Sequence, residues 1–172
     1  NGLTINRPAL SGTGLIGRGS NVKILNVGLS NSDIIGGRIT GALAGYLSNN
    51  SSIINSYTTG KIFTTSDIIG GILGAFEYGN SELSNSYSTA LINGNSIANS
   101  MGGLIGGSNS NTTINNSYFA GTIENGNRRV GGILGDSWNN NQININNSYS
   151  IGKLNGNNDI GSLVGGSSNS SS

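Results

Sequence analysis

A four-residue unit, small-apolar-apolar-glycine, returns six times along the chain: Gly14–Gly17, Ala42–Gly45, Gly71–Gly74, Gly103–Gly106, Gly132–Gly135 and Ser162–Gly165. Its closing glycines stand 28 to 32 residues apart. A period of that size means that each repeat is one small unit that cannot bury its apolar side chains alone, so neighbouring units must stack to share a core.

A second signature falls in the gaps. Asn-Ser-Tyr occurs at Asn55–Tyr57, Asn85–Tyr87, Asn116–Tyr118 and Asn147–Tyr149, with Asn26-Val27-Gly28 as a degenerate first copy. Two residues before each Asn stands an apolar side chain: Ile24, Ile53, Leu83, Ile114 and Ile145. Side chains alternate across a strand, so residues two apart share a face. This spacing predicts that Ile, Asn and Tyr point inward together. Asn55, Asn85, Asn116 and Asn147 would then hydrogen-bond up the stack, and Tyr57, Tyr87, Tyr118 and Tyr149 would stack ring on ring. Three residues past each Tyr comes a small residue, Gly60, Ala90, Gly121 or Gly152, and two beyond it Ile62, Ile92, Ile123 or Leu154. That change of parity marks a bend, and the dipeptides Asn93-Gly94, Asn125-Gly126 and Asn155-Gly156 mark another, with positive φ favoured there.

These patterns predict an all-β chain: a right-handed parallel β-solenoid (β-helix) of about six coils, each of about 30 residues with about three short strands. Helical repeats are disfavoured by the Gly, Asn and β-branched content and by apolar spacing of two. The hand follows from the rule that crossovers between parallel strands are nearly always right-handed. Coils about 4.8 Å apart make a prism only ~25 to 30 Å long. The domain reading is one solenoid over 1–166, its first 40 residues an irregular or capping coil because Asp33–Thr40 breaks the spacing, then a Ser/Asn-rich tail or linker over 167–172.

Composition excludes several functions. Only 9% of residues are charged and the net charge is +1, so no basic field exists to gather nucleic acid. No apolar run approaches the ~18 residues needed to cross a bilayer, so membrane insertion is not expected. Cys is absent, which removes disulfides and thiolate metal sites and is compatible with secretion.

Motifs that resemble chemistry dissolve into the repeat. Gly12-Thr13-Gly14-Leu15-Ile16-Gly17 matches a dinucleotide-binding string but lacks the following helix. Gly131–Asp136 resembles a calcium-binding roll, yet other coils place Gly107, Ala75 and Tyr46 where Asp136 sits. With no His and seven acidic residues, the carboxylates to weigh are Glu77 with Glu82, plus Asp33, Asp67 and Asp159. They read as solvated surface charge. The sequence assigns no catalytic residue, cofactor or metal ligand. Aromatic residues are the better sign of a binding surface: Phe63 and Phe119 are expected to point outward, and Phe76, Tyr78 and Trp138 to lie in the loop after the glycine unit. Phe76, Tyr78, Phe119 and Trp138 are therefore the candidate ligand or partner contacts.

The pairing of Gly-Gly-Leu-Ile-Gly at 102–106 with Asn-Ser-Tyr-Phe-Ala-Gly at 116–121 resembles the GLUG repeats of bacterial surface proteins, including adhesins and the non-catalytic regions of immunoglobulin A peptidases. The resemblance covers nearly the whole chain. It implies a secreted or cell-surface location and a stalk or adhesive role, and it carries over no catalytic residue. The leading expectation is thus a rigid extracellular stalk or adhesin segment whose partner is a host or neighbouring-cell glycan or protein. The alternative is a self-assembling filament or sheath subunit whose partners are copies of itself stacked end to end. An ice-binding surface, which would need a regular Thr array, ranks third, and a polysaccharide-cleaving enzyme, which would need carboxylates clustered in one cleft, ranks fourth.

Overall fold

The computed structural model describes residues 2–168. Every strand pairing among them is parallel, and no described residue is helical. The chain winds as a parallel β-solenoid with three faces. The first face carries the Asn-Ser-Tyr tyrosines and includes Gly28–Gly36, Tyr57–Thr64 and Thr122–Gly126. The second consists of short strands such as Ile39–Gly41, Ile68–Gly70 and Ser100–Gly102. The third includes Ala44–Ser48, Leu73–Ser84, Ile105–Asn115 and Leu134–Trp138.

The second and third faces are each six strands deep along their paired path, yet the chain completes about five turns rather than the expected six. The six glycine units mark rungs on one side, and six rungs enclose five full turns. Asp33–Thr40, expected to break the spacing, keeps register: Asp33, Ile34, Ile35 and Gly36 pair with Lys61, Ile62, Phe63 and Thr64. The extra residue lies earlier, at a bulge between Leu29 and Ser32, where Asn31 takes φ 53° and Gly60 opposite takes φ 109°. Of the expected tail, Ser167 and Ser168 belong to the last strand, Val164–Ser168, and residues 169–172 lie outside the described residues.

The inward columns run as the repeat predicts. Ile24, Ile53, Leu83, Ile114 and Ile145 are stacked partners, as are Ile34, Ile62, Ile92, Ile123 and Leu154. In the middle rungs these side chains are wholly buried. Stacking like on like lets each Ile present the same shape to the next, which fills a thin core without voids.

The Asn-Ser-Tyr segment differs from the expectation. Asn55, Asn85, Asn116 and Asn147 are exposed, with φ between 47° and 52°. Each is a corner residue in the left-handed region, which Asn tolerates better than other side chains bearing a Cβ. The left-handed turn resets the alternation, so it is the following Ser that points inward. In the middle coils its hydroxyl accepts from the backbone N–H of the equivalent position one coil earlier: Ser56 N to Ser86 Oγ at 3.0 Å, Ser86 N to Ser117 Oγ at 3.1 Å. It donates to the carbonyl two residues before, as Ser86 does to Ser84 at 2.7 Å. The serine thus restores the ladder bond that the corner breaks.

The tyrosines consequently lie on the outer surface. They do stack as expected: centroids are 5.1 Å apart for Tyr57–Tyr87, 4.9 Å for Tyr87–Tyr118 and 5.3 Å for Tyr118–Tyr149, with rings within 6° of parallel. The residue after each Tyr faces in, so Phe119, expected outside, is fully buried in the column Leu29, Thr58, Ser88, Phe119, Ser150. Its ring occupies space that a Cβ would need at Gly103, Gly121 and Gly152. Of the three Asn-Gly dipeptides, Asn125 takes positive φ, at 56°, whereas in the preceding coil it is Asn95 and Ser96 that do so.

The closing glycines have one reason in common. Gly45, Gly74, Gly106 and Gly135 lie where the second and third faces fold against each other, and a Cβ at any of them would meet backbone. At Gly106 it would stand 2.7 Å from the Gly74 carbonyl oxygen and 2.8 Å from that of Ile69. This tight concave corner leaves a furrow on the outside of the prism.

Candidate functional site

The outer walls of that furrow come from two columns. On the second face Ile39 and Ile68 stack, and on the third run Arg18, Tyr46, Ala75, Gly107 and Asp136 in successive coils. The register of Tyr46, Ala75, Gly107 and Asp136 is the one the sequence alignment gave. Ile39, Ile68 and Ala75 form a small buried apolar cluster separate from the main core, and Tyr46 and Trp138 pack against it from opposite ends. Above this floor opens a groove of about 420 Å³, walled by Arg18, Tyr46, Glu77, Arg38, Asp67 and Trp138.

The groove exists because the column is uneven. Ala75 and Gly107 are small, and the larger side chains stand on either side of them. The Trp138 indole leans over Gly107, where any Cβ would strike it, and its Nε1–H donates to Asp136 Oδ2. Asp136 is fully buried and also receives Arg129 Nη1 at 2.7 Å. The guanidinium and the indole N–H supply the pairing that burial of a carboxylate demands. At the other end the Arg18 guanidinium lies 4.5 Å from the centre of the Tyr46 ring, a cation–π contact. The Tyr46 hydroxyl donates to Glu77 Oε2. Burial, then the Glu77 carboxylate beside it, push the Tyr46 phenol well above the ordinary tyrosine range, so it stays a donor.

Asp67 accepts from Asn99 Nδ2 at 2.9 Å, and Asn99 accepts from Asn127 Nδ2 at 2.8 Å, a short amide ladder that fixes the carboxylate. Arg38 differs from the rest of the wall: among the described residues its guanidinium has no hydrogen-bond or ion-pair partner. Beyond it a second depression of about 280 Å³ continues, lined by Ser66, Ile97 and Asn99 and sharing Arg38 and Asp67 with the first.

The four candidate contacts fare differently. Trp138 is in the groove. Phe76 is not in a loop but fully buried within the strand Leu73–Ser84, and Phe119 is core, so neither touches a ligand. Phe119 was misplaced by parity, because it follows the outward Tyr118, whereas Phe76 was expected in a loop and the strand after the glycine unit runs on through it. Tyr78 is 58% exposed at the bulge between Glu77 and Asn80 and is not among the residues that line the groove. Two of the carboxylates weighed from the sequence, Glu77 and Asp67, do line one groove, whereas Glu82 lines another depression with Lys23 and Asn50. Arg18, Arg38 and Tyr46 were missed as site residues. Their signal was present as departures from repetition: Tyr46 and Arg18 occupy a column whose other members are Ala, Gly and Asp.

Among the described residues no cluster of His, Cys, Asp and Glu could hold a metal ion. The arrangement offers instead two aromatic surfaces, an apolar floor, two guanidinium groups and two carboxylates, a set suited to holding a polar organic ligand against a ring. Compared with known proteins, the chain matches no family model, no curated protein and no solved structure.

Proposed function

We propose that this chain is a rigid extracellular solenoid module, secreted or displayed on a cell surface, that adheres through its side. The observation that carries the reading is the groove: over Ile39 and Ile68 the repeat gives way to aromatic and charged residues that line one depression. Parallel coils locked by ladders give stiffness without disulfides or metal, which suits a stalk exposed to a changing medium. The GLUG-like repeats point the same way. The partner is a glycan or protein of a host or neighbouring cell, and the reading needs no catalytic step, because Glu77 and Asp67 are both already engaged as hydrogen-bond acceptors. Beads coated with the protein should be retained on cell monolayers under flow. Retention no better than that of bare beads on every cell type tried would contradict the reading.

A second reading, end-to-end assembly, is favoured by the two end coils. Leu10, Leu15 and Leu25 are about half exposed at the start of the stack, and Tyr149, Ile151, Ile160 and Leu163 are exposed at its end, Ile151 at 74%. An open sheet end with apolar columns is a template for further strands. Electron microscopy across a concentration series separates the readings: fibres with a coil-spaced axial repeat favour assembly, and persistent monomers leave the adhesive module alone.

A further inference from the structure

We infer that the groove over Ile39, Ile68 and Ala75 is a binding site for a neutral saccharide at least two sugar units long. The inference rests on the adhesive reading and narrows its partner to one chemical class.

Tyr46 and Asp136 stand three coils apart, about 14 Å, and Trp138 reaches back over Gly107, leaving a gap of roughly two coils, about 10 Å, beside which Ile39 and Ile68 line the groove. A sugar ring has an apolar face of C–H groups that sits well on the negative face of an aromatic ring, and a rim of hydroxyls that must be paired. The wall supplies those partners in both senses: Glu77 and Asp67 accept, and Arg38, with no partner among the described residues, donates a planar fork that spans two adjacent hydroxyls.

Arg18 and Arg38 balance Glu77 and Asp67, so the wall has no formal excess of either sign, and an anionic or cationic ligand gains no field from it. Tyr46 is held by Glu77 and Arg18, Trp138 by Asp136, and Asp67 by Asn99, so these groups lose little freedom when a ligand arrives. The adjoining depression shares Arg38 and Asp67 and carries Asn99 onward, which lengthens the site past one ring. An extended peptide finds no free edge here, because Ala44–Ser48 and Ile68–Gly70 are both paired on either side.

Trp138 is the only tryptophan in the sequence, so its emission reports the groove directly. The purified chain would be titrated with neutral gluco-, galacto- and manno-oligosaccharides, with heparin as an anionic comparison. A saturable change in emission with a neutral oligosaccharide is expected. Arg38→Ala should weaken it about tenfold or more, and Lys61→Ala on the tyrosine face should leave it unchanged. No saturable change across the neutral panel, or the same affinity in Arg38→Ala with an unaltered melting curve, overturns the site. Tighter binding of heparin than of every neutral sugar overturns the ligand class, as does shortening of the sugar on incubation, which would mark an enzyme. The bead assay separates the two claims: beads that adhere but are released by no neutral sugar sink the saccharide and spare the adhesive reading, whereas sugar binding in solution without bead retention does the reverse.

Discussion

The tyrosine face and the groove face belong to the same coils but follow opposite rules. On the tyrosine face three columns repeat their residue from coil to coil, Tyr on Tyr, Ser on Ser and Ile on Ile, although the column that holds Phe119 does not. On the groove face the column Arg18, Tyr46, Ala75, Gly107, Asp136, Gly166 changes residue type at every step, and its contacts run sideways within the surface as well as along the stack. In a stacked fold, repetition satisfies both packing and hydrogen bonds, so the repeated columns carry stability. The proposed binding lies on the groove face, where aromatic and charged residues interrupt the repetition.

The comparison is sharpened first at the glycine corner that both faces depend on. Gly106→Ala should cost about 4 kcal/mol or prevent folding, because the new Cβ would press on the backbone of the preceding coil at both Ile69 and Gly74; Gly17→Ala, which meets only the Gly12 carbonyl oxygen at 3.2 Å, should cost about 1 kcal/mol or less, both read from urea midpoints. Next comes the serine ladder. Ser86→Ala leaves the buried Ser56 N–H without its acceptor and should cost about 1 to 3 kcal/mol, whereas Ser148→Ala in the last coils should cost less. Tyr87→Ala removes two ring contacts and should lower stability by about 1 to 2 kcal/mol, against about half that for Tyr149→Ala, which removes one. Asn116→Ala should cost about 1 kcal/mol through its left-handed φ of 49°, and Asn116→Gly should be nearly neutral. The smallest effect belongs to the groove: Arg38→Ala should change stability by no more than about 0.5 kcal/mol. A large loss there would erase the distinction between scaffold and site.

Periodicity made the solenoid and its inward Ile columns legible, because apolar residues at fixed offsets in successive repeats have only one way to share a core. Parity was not legible across the corner. A run such as Ile53-Ile54-Asn55-Ser56-Tyr57 reads as unbroken alternation, and only the left-handed φ of Asn55 transfers the inward role to Ser56 and sends Tyr57 outside. That one slip also put Phe119 on the wrong side. Ordinary side-chain counts offered no warning, since Asn, Ser and Tyr are all at home on a surface or in a ladder. The groove was half visible. Trp138 was noticed as an aromatic, and Asp67 and Glu77 as carboxylates, but their meeting with Arg18, Arg38 and Tyr46 depends on how far the second and third faces close on each other, which the glycine corner sets and no local pattern encodes.

Amide chemical-shift mapping of isotope-labelled protein during titration with the tightest oligosaccharide of the neutral panel tests the division between scaffold and site most directly. The account predicts shifts gathered at Arg18, Arg38, Tyr46, Asp67, Glu77 and the Trp138 indole, with the ladder from Tyr57 to Tyr149 unmoved. Shifts spread along the tyrosine ladder, or confined to the end coils around Leu15 and Ile151, would contradict it.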